Sequence, residues 1–199
     1  MTDSKGSCCK GRPRSAKSTA AILDATLRLL EDRPLRDTTI EAIAQEAGVG
    51  KATIYKWWPS KAHLALEAFL SRTERDVSIP DTGSARTDFE EQLQSLQQFY
   101  QSKIGRLFCQ FLAEGQIDPE FAAHFRDSFL SSRRKAVGVI LERGMARGEL
   151  AADLDRELAL DLLYGPMFYR LLAGHAPVNG GEMAKVVAAV FDGISIRQE

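Results

Sequence analysis

The chain has 199 residues, of which 44% are hydrophobic and 27% are charged, and its formal net charge is −1. This composition is typical of a globular protein with one good hydrophobic core, and it argues against a disordered or fibrous chain. The longest apolar runs fall well short of the ~20 residues that span a bilayer, and the polar N-terminus lacks the apolar region of a secretory signal. We therefore expect a cytoplasmic protein with no membrane contact.

Charge is distributed unevenly along the chain. Residues 1–17 contain five basic side chains and one acidic side chain, whereas residues 141–199 contain six basic and nine acidic ones. The basic end predicts that one part of the molecule contacts a polyanion, which the near-neutral net charge conceals.

Helical periodicity dominates the sequence and strand alternation is absent, which predicts an all-α fold. The first helix carries apolar residues between positions 22 and 30 and is expected to end near Pro34. Thr38-Thr39-Ile40-Glu41 is expected to form a capping box, in which a threonine hydroxyl and the glutamate carboxylate satisfy backbone donors at the start of a second helix. That helix is expected to end at Gly48, because glycine tolerates the left-handed conformation of a helix C-terminus.

A third short helix is predicted over residues 51–58, between a glycine turn at residues 48–50 and Pro59. Two short helices joined in this way are typical of a helix-turn-helix, whose second helix enters the major groove of DNA. Val49 and Ile54 are expected to face inward and hold the two helices together. In the helix that follows, Lys61 lies in the first turn, where backbone donors and an ammonium group suit a phosphate.

Residues 38–49, followed by Ala52-Thr53-Ile54-Tyr55 and Lys61-Ala62-His63-Leu64, resemble the DNA-binding domain of the tetracycline-repressor (TetR) family. The match covers about the first third of the chain, and its ordered combination of cap, glycine turn, Thr-Ile-Tyr and later lysine is specific. Gly50, where the family often has serine, and Trp58, where it usually has phenylalanine, depart from the pattern. Both departures are compatible with the fold, because glycine is a tolerable cap and tryptophan is a larger core residue.

The resemblance implies how the chain meets a double-stranded DNA operator. A basic arm containing Arg12 and Arg14 is expected to reach into the minor groove, with a solubilising tail as the alternative. Trp57 is equally compatible with DNA contact and with core packing. The remaining residues are assigned to base edges (Lys51, Ala52 and Thr53) and to phosphates (Thr39, Tyr55, Lys56 and Lys61).

Beyond residue 75, three helical stretches rich in phenylalanine are predicted around residues 89–100, 104–114 and 119–141. A packed core is the usual meaning of such aromatic residues, but the resemblance favours a pocket for a largely apolar small-molecule effector. The basic run at residues 133–135 is able to contact an acidic effector, although a solvated helix face is the simpler interpretation. The residues expected at the pocket are Phe108, Cys109, Phe111, Leu112, Phe125, Phe129, Tyr164 and Phe168.

Two further helices bear on assembly. Residues 158–172 are apolar nearly all round, with a kink expected at Pro166, and the last helix repeats apolar residues at helical spacing between positions 183 and 194. Following the resemblance, these helices are expected to form the four-helix interface of a homodimer rather than the core of a monomer. The residues expected at that interface are Leu160, Met167, Leu171, Val187, Val190, Phe191 and Ile194.

Motifs of enzymes and metal sites are absent from the sequence. It contains no phosphate-binding loop, no serine nucleophile turn and no zinc-protease motif, and its three histidines are widely separated. Cys8, Cys9 and Cys109 show neither metal-site nor disulfide spacing, so we expect reduced thiols, with a redox role of Cys8 and Cys9 as the alternative. No cofactor and no metal are expected.

These observations predict a basic flexible arm over residues 1–17, a helix-turn-helix domain over residues 18–75, and a helical effector-binding and dimerisation domain over residues 76–199. The expected function is that of a ligand-responsive transcriptional repressor that binds a palindromic operator as a homodimer and is released by its effector. The alternatives are a DNA-binding architectural protein without an effector and a helical enzyme.

Overall fold

A computed structural model describes residues 15–73 and 79–194; most of these residues are helical and none forms a β-strand, which confirms the all-α prediction. The predictions for Arg12, Arg14, Cys8 and Cys9, and for the side chain of Ile194, lie outside the described residues. In chain order the helices are α1 (Ala16–Asp32), α2 (Ile40–Ala47), α3 (Lys51–Tyr55), α4 (Lys61–Thr73), α5 (Ala85–Gln101), α6 (Leu107–Ile117), α7 (Pro119–Phe125), α8 (Ser131–Ala146), α9 (Arg156–Ala173) and α10 (Gly180–Ile194).

The start of α2 differs from the predicted capping box by one residue. Thr39, not Thr38, is the N-cap, and its hydroxyl oxygen accepts the Ala42 N–H at 3.1 Å. Thr38 is buried and its hydroxyl donates to the Pro34 carbonyl, so it closes the preceding turn instead. Because Ala42 stands three positions after the true cap, no carboxylate completes the box. The predicted helix end is confirmed, since Gly48 caps α2 with φ +65°.

Helix α3 is three residues shorter than predicted. After Tyr55 the chain forms a turn, in which the N–H groups of Trp57 and Trp58 both bond to the Ile54 carbonyl. Trp58 precedes Pro59, and a residue before proline is disfavoured in the helical region, so the helix stops earlier than the proline itself.

Helix α4 belongs to two hydrophobic cores. Its Leu64 packs with Ile22, Ile43 and Ile54 in the small core of the helix-turn-helix. Other residues of the same helix, including Phe69, are buried in the large core formed by α5 to α10. One rigid element therefore links the first three helices to the rest of the chain.

The remaining helices form a bundle in which α5 packs on α8 and α10, and α9 also packs on α8 and α10. A π-helical turn, Arg126–Leu130, joins α7 to α8, and α9 continues through Pro166 as one helix. Within the described chain, no helix is both long enough and apolar enough to cross a membrane.

Candidate functional site

Helix α3 has a buried inner side, formed by one residue, and an exposed outer face. Ile54 is fully buried against α1 and α2, whereas Lys51, Ala52, Tyr55 and Lys56 are exposed. Successive positions on a helix are rotated by about 100°, so burial of Ile54 fixes the opposite face outward. A short helix held in this way has the shape required to enter a major groove.

The remaining two residues predicted to touch DNA on this element are partly covered. Thr53 is half-buried, and Trp57 is 39% exposed with the Lys56 ammonium 5.0 Å from its ring centroid. Lys51 pairs with Glu41 of α2, with Nζ 3.0 Å from Oε1. Mainly through this hydrogen bond, the pKa of Glu41 is lowered and the pKa of Lys51 is raised. Both partners are exposed, so Lys51 can exchange the carboxylate for a DNA acceptor.

Donors for phosphate lie beside α3 on the preceding and following helices. Thr39 is exposed, and because its oxygen accepts the cap hydrogen bond, its O–H remains able to donate. Lys61 donates to the carbonyls of Arg36 and Thr38 at 3.0 and 2.9 Å. An ammonium has three N–H donors, so Lys61 both anchors the turn before α2 and retains one donor for a phosphate.

The two departures from the family pattern have structural explanations. Trp58 is buried in the small core, and its indole N–H donates to Glu67 at 2.7 Å, a partner that phenylalanine lacks. Gly50 is the N-cap of α3, and a Cβ at this position would meet no atom within 4 Å. Serine therefore fits at Gly50 without displacing a neighbour.

A hydrogen bond and ring contacts of one histidine help to tie the helix-turn-helix to the large core. The Leu35 N–H donates to the Gln110 side chain on α6 at 2.7 Å. His63 on α4 stacks on His124 of α7, with ring centroids 5.0 Å apart, and meets Phe121 edge-on. Burial lowers the pKa of His63, and His124 lowers it further against smaller opposing effects of Asp118 and Glu120.

This histidine contact predicts a loss of stability in mild acid. Because the pKa of His63 is lower in the folded chain, the unfolded chain binds the proton more readily, and stability is lost as the pH falls below the ordinary histidine value of about 6.5. We expect the melting temperature to fall less between about pH 7.5 and about pH 5.5 in His63→Asn than in the wild type, because asparagine cannot be protonated there. Thermal unfolding followed by circular dichroism measures this difference, and equal falls in the two proteins would contradict it.

A cavity of about 320 Å³ lies inside the large core, beside the end of α4. Five of the residues predicted for an effector pocket line it: Phe108, Leu112, Phe129, Tyr164 and Phe168. The other described residues on its walls are Thr73, Ile79, Gln92, Leu96, Phe99, Tyr100, Leu130, Arg133, Arg134, Ala136, Val137 and Leu160.

Three residues predicted for the pocket lie elsewhere. Phe111 and Phe125 are buried in an aromatic cluster of the large core, where their rings contact each other and those of Phe69 and Phe121. Cys109 follows Phe108 on α6 and is therefore turned about 100° away from the cavity. It is half-buried against the core, and burial raises the pKa of its thiol.

Polar groups interrupt the apolar walls of the cavity at a few points. The Tyr164 hydroxyl donates to Gln92 Oε1 at 2.7 Å, and burial raises the pKa of both Tyr100 and Tyr164, so both phenols are neutral. Gln92 was not expected at the pocket from the sequence, whereas Arg133 belongs to the basic run for which contact with an acidic effector was the alternative to a solvated helix face. The signal for Arg133 was its spacing, because Phe129, Arg133 and Val137 recur every four residues and so share one face.

Several residues predicted for the dimer interface on α9 and α10 do not lie on the outer surface of these helices. Leu160, Met167, Val187 and Phe191 are at most 3% exposed, because they fill the chain's own core. Leu171 and Val190 are partly buried against that core. The apolar residues of α9 that face outward are instead Leu158, Leu162, Tyr169 and Leu172.

On α10 the outward apolar residues are small. Ala184 and Ala189 are exposed, and Ala188 is half-buried beside them. Small side chains allow a second helix to approach closely, whereas the leucines and the tyrosine of α9 supply apolar area. The two outer surfaces together form the α9–α10 face, which consists of Leu158, Leu162, Tyr169 and Leu172 of α9 and Ala184, Ala188 and Ala189 of α10.

Comparison with known proteins places this architecture in one family. Residues 22–68 match the family model "Bacterial regulatory proteins, tetR family", and residues 79–190 match "Tetracyclin repressor-like, C-terminal domain". The HTH-type transcriptional regulator YdeS of Bacillus subtilis is 38% identical over 93% of each chain. The HTH-type transcriptional regulator AqdR of Rhodococcus erythropolis is 32% identical over 83% of this chain and 79% of that protein.

Solved structures agree with the sequence comparisons. The TetR family transcription regulator SCO0332 superposes with a TM-score of 0.77 at 30% identity, over 89% of this chain and 98% of that one. FadR from Bacillus subtilis in complex with stearoyl-CoA (TM-score 0.67, 19% identity, 88% of this chain and 98% of that one) has the same fold. So does a regulator from Saccharomonospora viridis in complex with choline (TM-score 0.64, 22% identity, 92% and 100%). The chain therefore belongs to the TetR family of helix-turn-helix transcriptional regulators, which are DNA-binding proteins and not enzymes.

Proposed function

We propose that this regulator is a repressor that binds a palindromic operator as a homodimer and is released when a small molecule fills the cavity of its large core. The observation that carries the proposal is the position of α4. This helix supports the DNA-facing α3 through Leu64 and ends at Thr73 on the cavity wall. A ligand in the cavity therefore lies against the same rigid element that holds the recognition helix.

The proposed operator contact uses α3 and its neighbours. Lys51, Ala52 and Thr53 read base edges, and Thr39, Tyr55, Lys56 and Lys61 hold phosphates, with Trp57 at the edge of this surface. Support comes from the exposed face of α3 and from the free donors of Thr39 and Lys61. In this proposal residues 18–75 form the DNA-binding unit, residues 76–199 form the sensing and dimerisation unit, and Arg12 and Arg14 extend from the first unit into the minor groove.

The proposed homodimer uses the α9–α10 face. Four large apolar side chains on one stripe of α9 are exposed in the single chain, a feature that marks an interaction surface. Pairing two copies about a two-fold axis buries this stripe twice and brings α9 and α10 of each subunit into a four-helix arrangement. Two recognition helices about 34 to 36 Å apart then match successive major grooves.

The proposed sensing role rests on the cavity. Its walls are mostly apolar with a few polar groups, which is the usual character of a small-molecule site, and its volume lies at the lower end of the usual range. Two proteins of the same fold have been solved with small molecules, stearoyl-CoA and choline. A DNA-binding architectural protein needs no such cavity, so the cavity favours the ligand-responsive function.

Removal of one phosphate contact tests the DNA-binding surface. We expect Lys56→Ala to weaken binding to the DNA upstream of the protein's own gene and to flatten the slope of log affinity against log salt by about one unit, because one fewer counterion is displaced. Fluorescence anisotropy at several salt concentrations measures the slope. Lys56 is preferred to Lys61 because Lys61 also anchors two carbonyls.

Lys135→Ala is the matched control. Lys135 is exposed on α8, so the variant loses the same charge far from α3 and should keep the wild-type slope. Equal slopes in all three proteins would show that Lys56 does not contact a phosphate. Wild-type DNA binding that does not depend on salt would contradict the proposed function.

A further inference from the structure

The two charged residues on the described cavity wall are both arginines, and their environments differ. The positive charge of Arg134 is compensated by two carboxylates of α9, because its Nε donates to Glu157 at 2.7 Å and its Nη1 donates to Asp161 at 2.8 Å. Arg133 has no carboxylate partner within the described chain. Its guanidinium donates to the Thr73 backbone carbonyl at 2.6 Å and lies 5.7 Å from the centroid of the Phe129 ring.

No acidic residue lines the described part of the cavity. A carboxylate that leaves water for apolar surroundings is strongly disfavoured unless it is paired, and an arginine guanidinium is the side chain best shaped to pair with it. The positive charge of Arg133 is thus available to an anion and repels a cation. The Tyr100 hydroxyl, on the same cavity wall, has no hydrogen-bond partner among the described residues and adds a neutral donor.

The remaining walls of the cavity are aromatic rather than charged, and they indicate which chemical group the rest of the ligand should have. Phe108 and Phe168 stack with centroids 4.7 Å apart, and Tyr100 meets Phe168 edge-on at 5.4 Å. Flat aromatic groups gain from such ring surfaces beyond the area that they bury.

We propose that the cavity selects an aromatic ligand with one anionic group, and that Arg133 binds this group. The inference rests on the proposed function, because it assigns a chemical class to the effector of the same cavity. It also gives Arg133 a second role. Thr73 is the last described residue of α4, and its backbone carbonyl accepts the hydrogen bond from Arg133. A full carboxylate is a stronger partner for guanidinium than this carbonyl, so the ligand competes for the bond that fastens the end of α4.

Three probes of one shape test the charge preference: para-phenylbenzoate, para-phenylbenzamide and para-phenylbenzylammonium. Titration calorimetry with the wild-type protein should give the tightest binding for the benzoate, binding weaker by about tenfold for the benzamide, and no measurable binding for the ammonium compound. Equal affinities for the three probes, preference for the ammonium compound, or no binding of any probe would each overturn the inference.

Variants of the two arginines assign the preference to one side chain. Arg133→Gln should lose the tenfold preference for the benzoate and still bind the benzamide within about twofold of the wild type, whereas Arg133→Lys should keep a preference because it keeps the charge. Arg134→Gln is the matched control and should keep the full preference, since that guanidinium is already neutralised. Loss of preference in Arg134→Gln but not in Arg133→Gln would overturn the assignment.

Operator binding in the same samples separates this inference from the proposed function. The benzoate should weaken operator binding by the wild type and leave that of Arg133→Gln unchanged. If another of the three probes releases the operator instead, the proposed function stands and the anionic class fails. If the benzoate binds through Arg133 but no probe releases the operator, the ligand class stands and the proposed release mechanism fails.

Discussion

Leu162→Glu is expected to convert the dimer into a monomer and to weaken operator binding at least about 100-fold, because the two half-site contacts are no longer linked. Leu162 is 46% exposed on the α9–α10 face, so the glutamate remains hydrated in a single folded chain. In a two-fold interface the substitution occurs twice, and each carboxylate is buried without a partner. Sedimentation at micromolar concentration measures the assembly, and anisotropy measures the operator affinity.

Ile117→Glu is the matched control for this experiment. Ile117 is 82% exposed at the end of α6, away from the α9–α10 face, so the same chemical change there should leave both the dimer and the operator affinity intact. Substitution of Val187 is less informative, because a charge in its fully buried position disrupts the chain's own core. A wild-type protein that sediments as a monomer, or a Leu162→Glu variant that remains a dimer, would refute the proposed interface.

The helix-turn-helix could be predicted from the sequence because its signals are local. Gly48 supplies a left-handed helix end, Pro59 ends the following turn, and the interval between them leaves room for one short helix. The cap of α2 was misplaced by one residue because Thr38 and Thr39 are chemically equivalent. The contact that distinguishes them, from the Thr38 hydroxyl to the Pro34 carbonyl, depends on the path of the preceding turn.

From the sequence one could predict which helices form the cavity and the dimer face, but not which residues of those helices face the cavity or the partner. Helices α6 and α9 are apolar on most of their circumference, so periodicity does not say which side meets the core. On α9, Leu160 and Leu162 are separated by two residues and therefore by about 200°, which places one in the core and the other in solvent. On α6, Phe108 and Cys109 are adjacent in the sequence, but only Phe108 lines the cavity. The decision depends on how the whole helix is rotated when it packs, which is a tertiary property.

Ala136→Phe is expected to abolish the response to any compound that releases the wild-type protein from its operator. Ala136 is on the wall of the cavity, and the added ring occupies space that the ligand needs. Filling a cavity with apolar atoms should also raise the melting temperature by a few degrees. A ligand shifts the equilibrium between DNA-bound and released conformations only through different affinities for the two, so a protein that cannot admit the ligand keeps its unliganded operator affinity. Thermal shift and anisotropy with a panel of anionic, neutral and cationic aromatic compounds measure both effects.

Val139→Phe provides the comparison on the same helix. Val139 is 43% exposed on the outside of α8, so this variant gains an aromatic ring of the same kind without entering the cavity, and it should respond to ligands as the wild type does. If Ala136→Phe responds normally while its melting temperature is raised, the ligand binds elsewhere and the cavity is only a packing defect. If both variants lose the response, the effect comes from α8 as a whole, because the outward ring cannot block the cavity. The expected pattern, with loss of response in one variant only, requires that the ligand occupy the space beside Arg133 and the end of α4.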